Sequence, residues 1–560
     1  MKLTSIEKLN CAPHAVDSHA GMTSFSRLAP DFRRTVTLEG QTDPAISPRV
    51  YYPRIKCLGG GRYLMLHMDN RLGGNVYYSF SDDFIHYTPR EKLFSAYPVV
   101  RDDGAEDKIV YANGEAVVAK NGDLLVFASY RYNSGYGLDA KYGGIVMRRS
   151  TDGGRSFSDE IEIYRGRNWE SFPLCKADGE IQLFFSHTAP KFYLDKTVRT
   201  DSPIKTSSGT AMIRSTDNGY TWTPNVKEPP YAAHRVTQSY VATMENGTKC
   251  FTNQMATAAE LGDGSIVIST ESDLCNYQFR LTLSYTHDNF AHPLDIDEDG
   301  PADKDFAFAD GAGPYIAHFP SGETALSYNW KGLQHIAMGD ENGKNFDLKR
   351  QITTFGGRWG YWGSLTVEDG HTLIAAYPNI YEDKTVKPYD IDNDLMLGKL
   401  CLNHAITARP CTGDFDGNTE ALFVGGLSQA QMSVRAAYDE ENLYLRIDRL
   451  DRVLTDGDGV ELWLKADGHT YRIGSYLSGR RYLLCDGAKT EIELRGEDQL
   501  FGQMNVPGGD ENGAVTLLCL PRRILGGADR FALRMQLKNN DGLDTQSDGE
   551  DFYFPILSGK

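Results

Sequence analysis

The sequence predicts an all-β protein: a six-bladed β-propeller followed by a C-terminal β-sandwich. Three observations carry that prediction. A phrase of the form Ser-x-Asp-x-Gly-x-x-(Phe/Trp) occurs at Ser150–Phe157 and again at Ser215–Trp222. Six hairpin patterns are spread through residues 49–404. Beyond residue 411 the phrases stop, while alternation of apolar and polar residues continues. A long-period repeat decides architecture, so it is read first.

The phrase suits a tight turn. An Asp carboxylate can accept from nearby amides, and Gly supplies a backbone angle that other residues avoid. The aromatic is expected to pack back on its own hairpin. Looser copies begin at Ser79, Ser284 and Gly339, the last with Glu341 in the Asp position. The hairpins lie at 55–68, 116–129, 171–186, 257–272, 315–330 and 364–378. Each is two apolar runs joined through a Gly-containing turn, a strong hairpin signal. Six such units, each continued to about four strands, describe six blades.

Residues 1–48 show no repeat and read as a lead-in, with a strand near Arg34–Leu38 available to close the ring. Residues 49–404 form the propeller, and His404–Pro410 reads as a linker. In 411–560, Leu443-Tyr-Leu-Arg-Ile447 and Val460-Glu-Leu-Trp-Leu464 alternate as sandwich strands do. No long amphipathic helix is foreseen.

The net charge of −18 disfavours nucleic acid as a partner. No apolar stretch approaches the roughly 20 residues that span a bilayer, so no membrane partner is expected. Nine cysteines without a C-x-x-C pair favour a reducing compartment. With no secretory leader in view, the expectation is a cytoplasmic protein, or a secreted one if a leader has been removed. The 31 tyrosines fit either a β-rich chain or sugar-stacking surfaces.

The repeated phrase resembles the Asp-box of the sialidase superfamily, also called the bacterial neuraminidase repeat. The resemblance covers about residues 49–404 and implies that the boxes mark the fold and carry no chemistry. Two branches compete. A sialidase implies an Arg triad, a Tyr nucleophile and an Asp acid/base. An exo-arabinanase-like glycosidase implies two glutamates. Residues 411–560 resemble carbohydrate-binding modules of the family 9 type through Tyr438-Asp-x-x-x-Leu-Tyr-Leu445 and Gly457-Asp-Gly-Val-Glu-Leu462.

Candidate chemistry lies where inner strands begin and second strands end. The first positions are Arg54, Glu115, Glu170, Gln254 and Tyr361-Trp362; the second are Asp69, Arg131, His187, Glu271, Asn329 and Tyr377. Charged groups where apolar strands converge need a reason. Glycoside hydrolysis needs two carboxyls flanking one bond. Glu170, in Trp-Glu-Ser-Phe-Pro, resembles the exo-arabinanase nucleophile phrase, and Glu271 resembles the acid/base. Glu115 is a third contender able to exchange roles with either. A backbone-bonded carboxylate is the competing role for each. Arg54, in Pro-Arg-Ile, resembles the first sialidase Arg and is placed either to clamp a substrate carboxylate or to pair with a neighbouring Glu. Tyr361 keeps the sialidase branch open; with Trp362 it otherwise stacks beneath a sugar or packs. Asp69, Arg131, His187 and Asn329 complete the substrate-binding set.

No cofactor is expected. Asp295, Asp297 and Asp299 begin like a calcium loop, but Phe306 stands where a bidentate Glu is required, so a solvated acidic loop is the stronger reading. Trp463 and Tyr471 are offered as sugar-stacking residues, with the core face of that strand left open. The function expected is exo-hydrolysis of a terminal sugar from an oligo- or polysaccharide, retaining, with an arabinan-like substrate favoured. The alternatives are an exo-α-sialidase and a carbohydrate-binding protein without catalysis.

Overall fold

The computed structural model describes residues 15–16, 28–36 and 50–557, apart from 70–72, 85, 189–207, 226, 230, 244–246, 248, 276–277, 297–304, 331–332, 349–351, 354–361, 371, 381–392, 403, 411–414, 416–420, 426–429, 509–511, 543 and 547–553. Among these residues there is no α-helix, only short 3-10 turns between strands. No helix is long and apolar enough to cross a membrane.

Six antiparallel sheets follow in chain order. Blade one is Tyr51–Gly59, Arg62–Met68, Val76–Ser81 and Glu91–Phe94. Blade two is Glu106–Val118, Leu124–Tyr132, Gly143–Ser150 and Ile161–Arg165, with Tyr97–Val100 added as a fifth strand. Blade three is Trp169–Cys175, Ile181–Thr188, Ser208–Ser215 and His234–Thr237; a separate hairpin, Ser239–Thr243 with Lys249–Thr252, follows it. Blade four is Gln254–Glu260, Ile266–Cys275, Gln278–Thr286 and Asp305–Asp310. Blade five is Ala312–His318, Thr324–Trp330, Leu333–Gly339 and Ile352–Thr353. Blade six is Ser364–Val367, Thr372–Ile380 and Asn393–Leu402, with Leu28–Val36 from the N-terminal segment as its outer strand.

The first strand of each blade touches the first strand of the next, and blade six returns to blade one, so the ring is closed. Leu28 pairs with Leu402 and Val36 with Leu395, antiparallel. The two ends of the propeller segment are thereby joined within one sheet.

The turn phrases behave as their chemistry requires, with two corrections. Asp152 accepts from the Ser150 hydroxyl at 2.7 Å and the Ser156 amide at 3.0 Å. Asp217 does the same with Ser215 and Thr221. In the copy starting at Gly339 the carboxylate is Asp340, which accepts from the Lys344 amide at 2.9 Å; Glu341 does not take that place. The box aromatics reach beyond their own hairpins. Trp222 meets Phe127 of blade two, Phe290 meets Phe184 of blade three, and Phe157 meets Tyr78 of blade one. Each box therefore fastens its blade to the preceding one. The close approach also demands Gly: Gly154 has φ +87°, and a Cβ there would lie 2.4 Å from Phe80 Cζ.

Residues 404–410 are not a linker. His404–Pro410 is a strand running parallel to Phe554–Leu557 and, at its end, to Ala430–Tyr438. It belongs to a sheet that also contains Asn442–Asp451, Arg495–Phe501 and Gly513–Pro521. A second sheet holds Gly459–Ala466, His469–Tyr476, Arg481–Cys485 and Ala532–Lys538. Val434, Leu445 and Leu518 of the first sheet pack against Leu462, Ile473 and Met535 of the second, giving the sandwich core. Leu462 and Leu464 are fully buried, so Trp463 lies on the outer face. Tyr471 is buried in the core, which overturns its expected place as a sugar platform.

Candidate active site at the channel mouth

Every inner strand begins with the same irregularity. Tyr52, Asn113, Glu170, Met255, Gly313 and Trp362 all have φ between 50° and 60°. In the first five blades the strand register slips across these residues. An extra residue in one strand interrupts alternation and re-aims its side chain. Left-handed backbone is costly for residues other than Gly, but its recurrence in all six blades makes it a property of the ring, not of one catalytic residue.

The bulge divides the channel into two levels. The upper level is built on the six residues just named. Tyr52 stacks on Trp362 with ring centroids 4.7 Å apart, and Tyr51, Tyr52, Met68, Ala112 and Met255 form a buried floor bordered by Trp169 and Trp362. Two residues further along each strand lies the lower level, with Arg54, Glu115, Phe172, Thr257, Tyr315 and Ser364. Glu115 and Glu170 therefore belong to different levels, although both stand near the start of an inner strand.

At the lower level Glu115 is fully engaged. Arg54 Nε lies 2.9 Å from Oε2, Lys56 Nζ lies 3.0 Å from Oε1, and the Tyr315 hydroxyl donates to Oε2 at 3.1 Å. Arg54 Nη1 donates to the Trp362 and Pro53 carbonyls. Its guanidinium also lies over the Tyr315 ring. This network, with Phe172 edge-on to Tyr315, lies beneath the floor. It gives Arg54 the ion-pairing role and sets Glu115 below the open mouth, where it does not exchange places with Glu170.

At the upper level two carboxyls face one phenol. Glu170 is half-buried; the Ser186 hydroxyl donates to its Oε2 at 2.9 Å while accepting from the Met255 amide. Desolvation pushes the Glu170 carboxyl up to about 7, against the opposing pull of the Ser186 and Met255 donors, Arg54 and Tyr52. Glu271 is buried, and the Gly313 amide donates to its Oε2 at 2.6 Å. Burial, followed by the fields of Glu170 and then Glu271, raises the Tyr52 hydroxyl well above its ordinary value, so Tyr52 stays a neutral phenol between them.

The remaining candidates divide. Asn329 is in the site: its Oδ1 accepts from the Trp362 amide at 2.9 Å. Arg131 lies 4.1 Å above the Trp169 ring, beside Glu170, and desolvation lowers its pKa. His187 is buried on the second strand of blade three, and desolvation lowers it to about 3, so it is neutral. Asp69 is held by the Asn75 amide and side chain. Gln254 donates to Ser208, and Tyr377 is buried. Tyr361, Asp297 and Asp299 lie outside the described residues, while Asp295 pairs with Arg235 at 2.6 Å. Sequence reasoning missed Tyr52, Asn113, Ser186, Met255 and the Gly313 amide. Aligning the blades on the bulge residue, not on the first charged residue, would have found them.

No family model matches the sequence, and no curated protein matches it. Several solved structures are similar. A protein of unknown function from Dyadobacter fermentans is 13% identical, with 67% of this chain and 99% of that one covered and a TM-score of 0.46. The NanB sialidase of Streptococcus pneumoniae is 10% identical, with 65% and 70% covered and a TM-score of 0.43. The catalytic domain of a Coprinopsis cinerea GH62 α-L-arabinofuranosidase is 9% identical, with 69% and 100% covered and a TM-score of 0.36. At these identities and TM-scores the likenesses assign no chemistry to this chain.

Proposed function

We propose that the protein is an exo-acting glycoside hydrolase whose propeller carries the reaction and whose sandwich assists as a carbohydrate-binding module. The observation that supports this best is the pair Glu170 and Glu271, both close enough to bias the same Tyr52 hydroxyl while holding unlike environments. A glycosidase needs one carboxyl that keeps its proton near neutrality and one that is ionised. Glu170, raised to about 7, suits the acid that protonates the leaving oxygen. Glu271, whose Oε2 accepts from the Gly313 amide, suits the partner that attacks or activates water. These roles are the reverse of those the sequence phrases imply.

The network at the lower level supports an exo mode. A substrate entering from the mouth would set its terminal sugar against the Tyr52–Trp362 floor. The substrate class favoured is an α-linked arabinose-like terminal sugar. Arg54, already bound to Glu115 and to backbone carbonyls, gives no support to a carboxylate clamp.

The test is hydrolysis of chromogenic glycosides and of plant and mucin oligosaccharides by wild type, Glu170→Gln and Glu271→Gln. Release of arabinose that both substitutions abolish is the expected result. Proton NMR of the first-formed anomer then separates retention from inversion. Release of sialic acid, or turnover surviving both substitutions, would sink the two-glutamate reading.

A further inference from the structure

Two segments of blade two lie outside its four main strands. The blade gains the fifth strand Tyr97–Val100 with the turn that follows, and it carries a long connection, residues 133–142, between its second and third strands. Both additions wall the same feature. A cavity of about 380 Å³ is lined by Tyr78, Tyr97, Tyr111, Arg148, Phe157 and Glu160, among others. A second, of about 370 Å³, is lined by Tyr97, Tyr130, Tyr132, Tyr142, Glu160 and Glu162, among others. Tyr97 and Glu160 border both, so the two cavities form one groove along the flank of the blade.

We infer that this groove is an accessory saccharide-binding site, separate from the channel mouth. Its lining is the kind that binds sugar: aromatic faces interleaved with fixed polar groups. Six tyrosines line it: Tyr97 is exposed, Tyr78, Tyr130 and Tyr132 are partly buried, and Tyr111 and Tyr142 are buried, with several of their hydroxyls fixed by carboxylates. Tyr111 donates to Glu160 at 2.8 Å, Tyr130 to Glu162 at 2.5 Å, and Tyr142 to Asp102. Ring orientation is thus set before a ligand arrives, which reduces the ordering cost of binding. Tyr97 is 45% exposed where the cavities join, although it is large and aromatic. Arg148, which lines the first cavity, donates Nη1 to the Ser158 carbonyl, and its buried Nε has no hydrogen-bond partner among the described residues.

The groove also points toward the candidate active site. One end lies at the box turn, with Ser156 and Phe157; the other lies at Lys141 and Tyr142. The connection that carries Lys141 and Tyr142 also carries Tyr136, whose hydroxyl donates to the Asn168 carbonyl and whose ring meets Trp169 edge-on, directly before Glu170. A polysaccharide held along the flank would keep the end that lies at Lys141 and Tyr142 toward the mouth. The ligand class rests on the glycosidase reading; the groove itself does not.

The experiment is affinity electrophoresis of Glu170→Gln protein through gels containing debranched arabinan, xylan or mucin. It is repeated with Tyr97→Ala and Tyr97→Phe added to that background. Retardation by at least one polymer, weakened about tenfold by Tyr97→Ala and largely kept by Tyr97→Phe, is expected from loss of one stacking face. Retardation unaffected by Tyr97→Ala would overturn the groove while leaving the two-glutamate chemistry standing. Absence of retardation by any polymer would overturn it as well. Retardation sensitive to Tyr97 in a protein that hydrolyses nothing would keep the groove and remove the enzymatic reading.

Discussion

Glu115 and Glu170 both stand near the start of an inner strand, on neighbouring blades, and they end in opposite circumstances. Glu115 is 1% exposed, with two cations and a phenol on its oxygens. Glu170 is half-buried, has no cation within ion-pair distance among the described residues, and is pushed up to about 7 by desolvation. The bulge separates them: Glu170 is the bulge residue, and Glu115 lies two residues past it. The difference teaches that a channel carboxylate earns a chemical role by its level and its neighbours, not by its presence near the axis.

The strongest way to break the comparison is to neutralise each carboxylate in turn. Glu170→Gln should lower kcat by about 10² to 10⁴-fold with no loss of thermal stability, since it removes proton transfer and, near neutrality, a carboxyl whose ionisation costs stability. Kinetics and thermal unfolding on one preparation test this; equal losses of stability in Glu170→Gln and Glu115→Gln would erase the distinction. Glu115→Gln should destabilise by about 3–5 kcal/mol, because Arg54 and Lys56 are left buried without their anion. Chemical denaturation reads that directly.

A milder test concerns the fastening between blades. Gly154→Ala forces a left-handed backbone on Ala and drives a methyl against Phe80. A loss of about 1–3 kcal/mol is expected, with kcat preserved, because the box lies at the opposite end of the strands from the mouth.

The subtlest test is pH. The native Glu170 carboxyl holds its proton more tightly than an unfolded one, whose pKa is near 4.5. Its contribution to stability is therefore complete below about 4.5 and is lost as pH rises through about 7. Activity that needs the protonated acid should fall over the same upper limb. Glu170→Gln should flatten the stability profile in that window. Tyr52→Phe should move the activity limb slightly upward, since the hydrogen bond from the Tyr52 hydroxyl favours the ionised Glu170 carboxylate. A limb that does not respond to either substitution would assign it to another group.

Much of this architecture could be read from the chain. Turn phrases, Gly-centred hairpins and alternation act over a few residues, so the six blades, the closing N-terminal strand and the sandwich were all legible before any coordinates. What the chain alone did not decide was set by contacts between segments far apart in sequence. Trp222 turned toward blade two, and Trp463 turned outward while Tyr471 turned in. The pairing of Arg54 with Glu115 and the grip of Gly313 on Glu271 each join neighbouring blades. The physical reason is the period of a strand. Side chains alternate every residue, so one bulged residue decides whether a carboxylate reaches the mouth or the layer beneath it. Local chemistry allows that bulge; only the closed ring, which brings six strands to one axis, makes it necessary and gives it consequences.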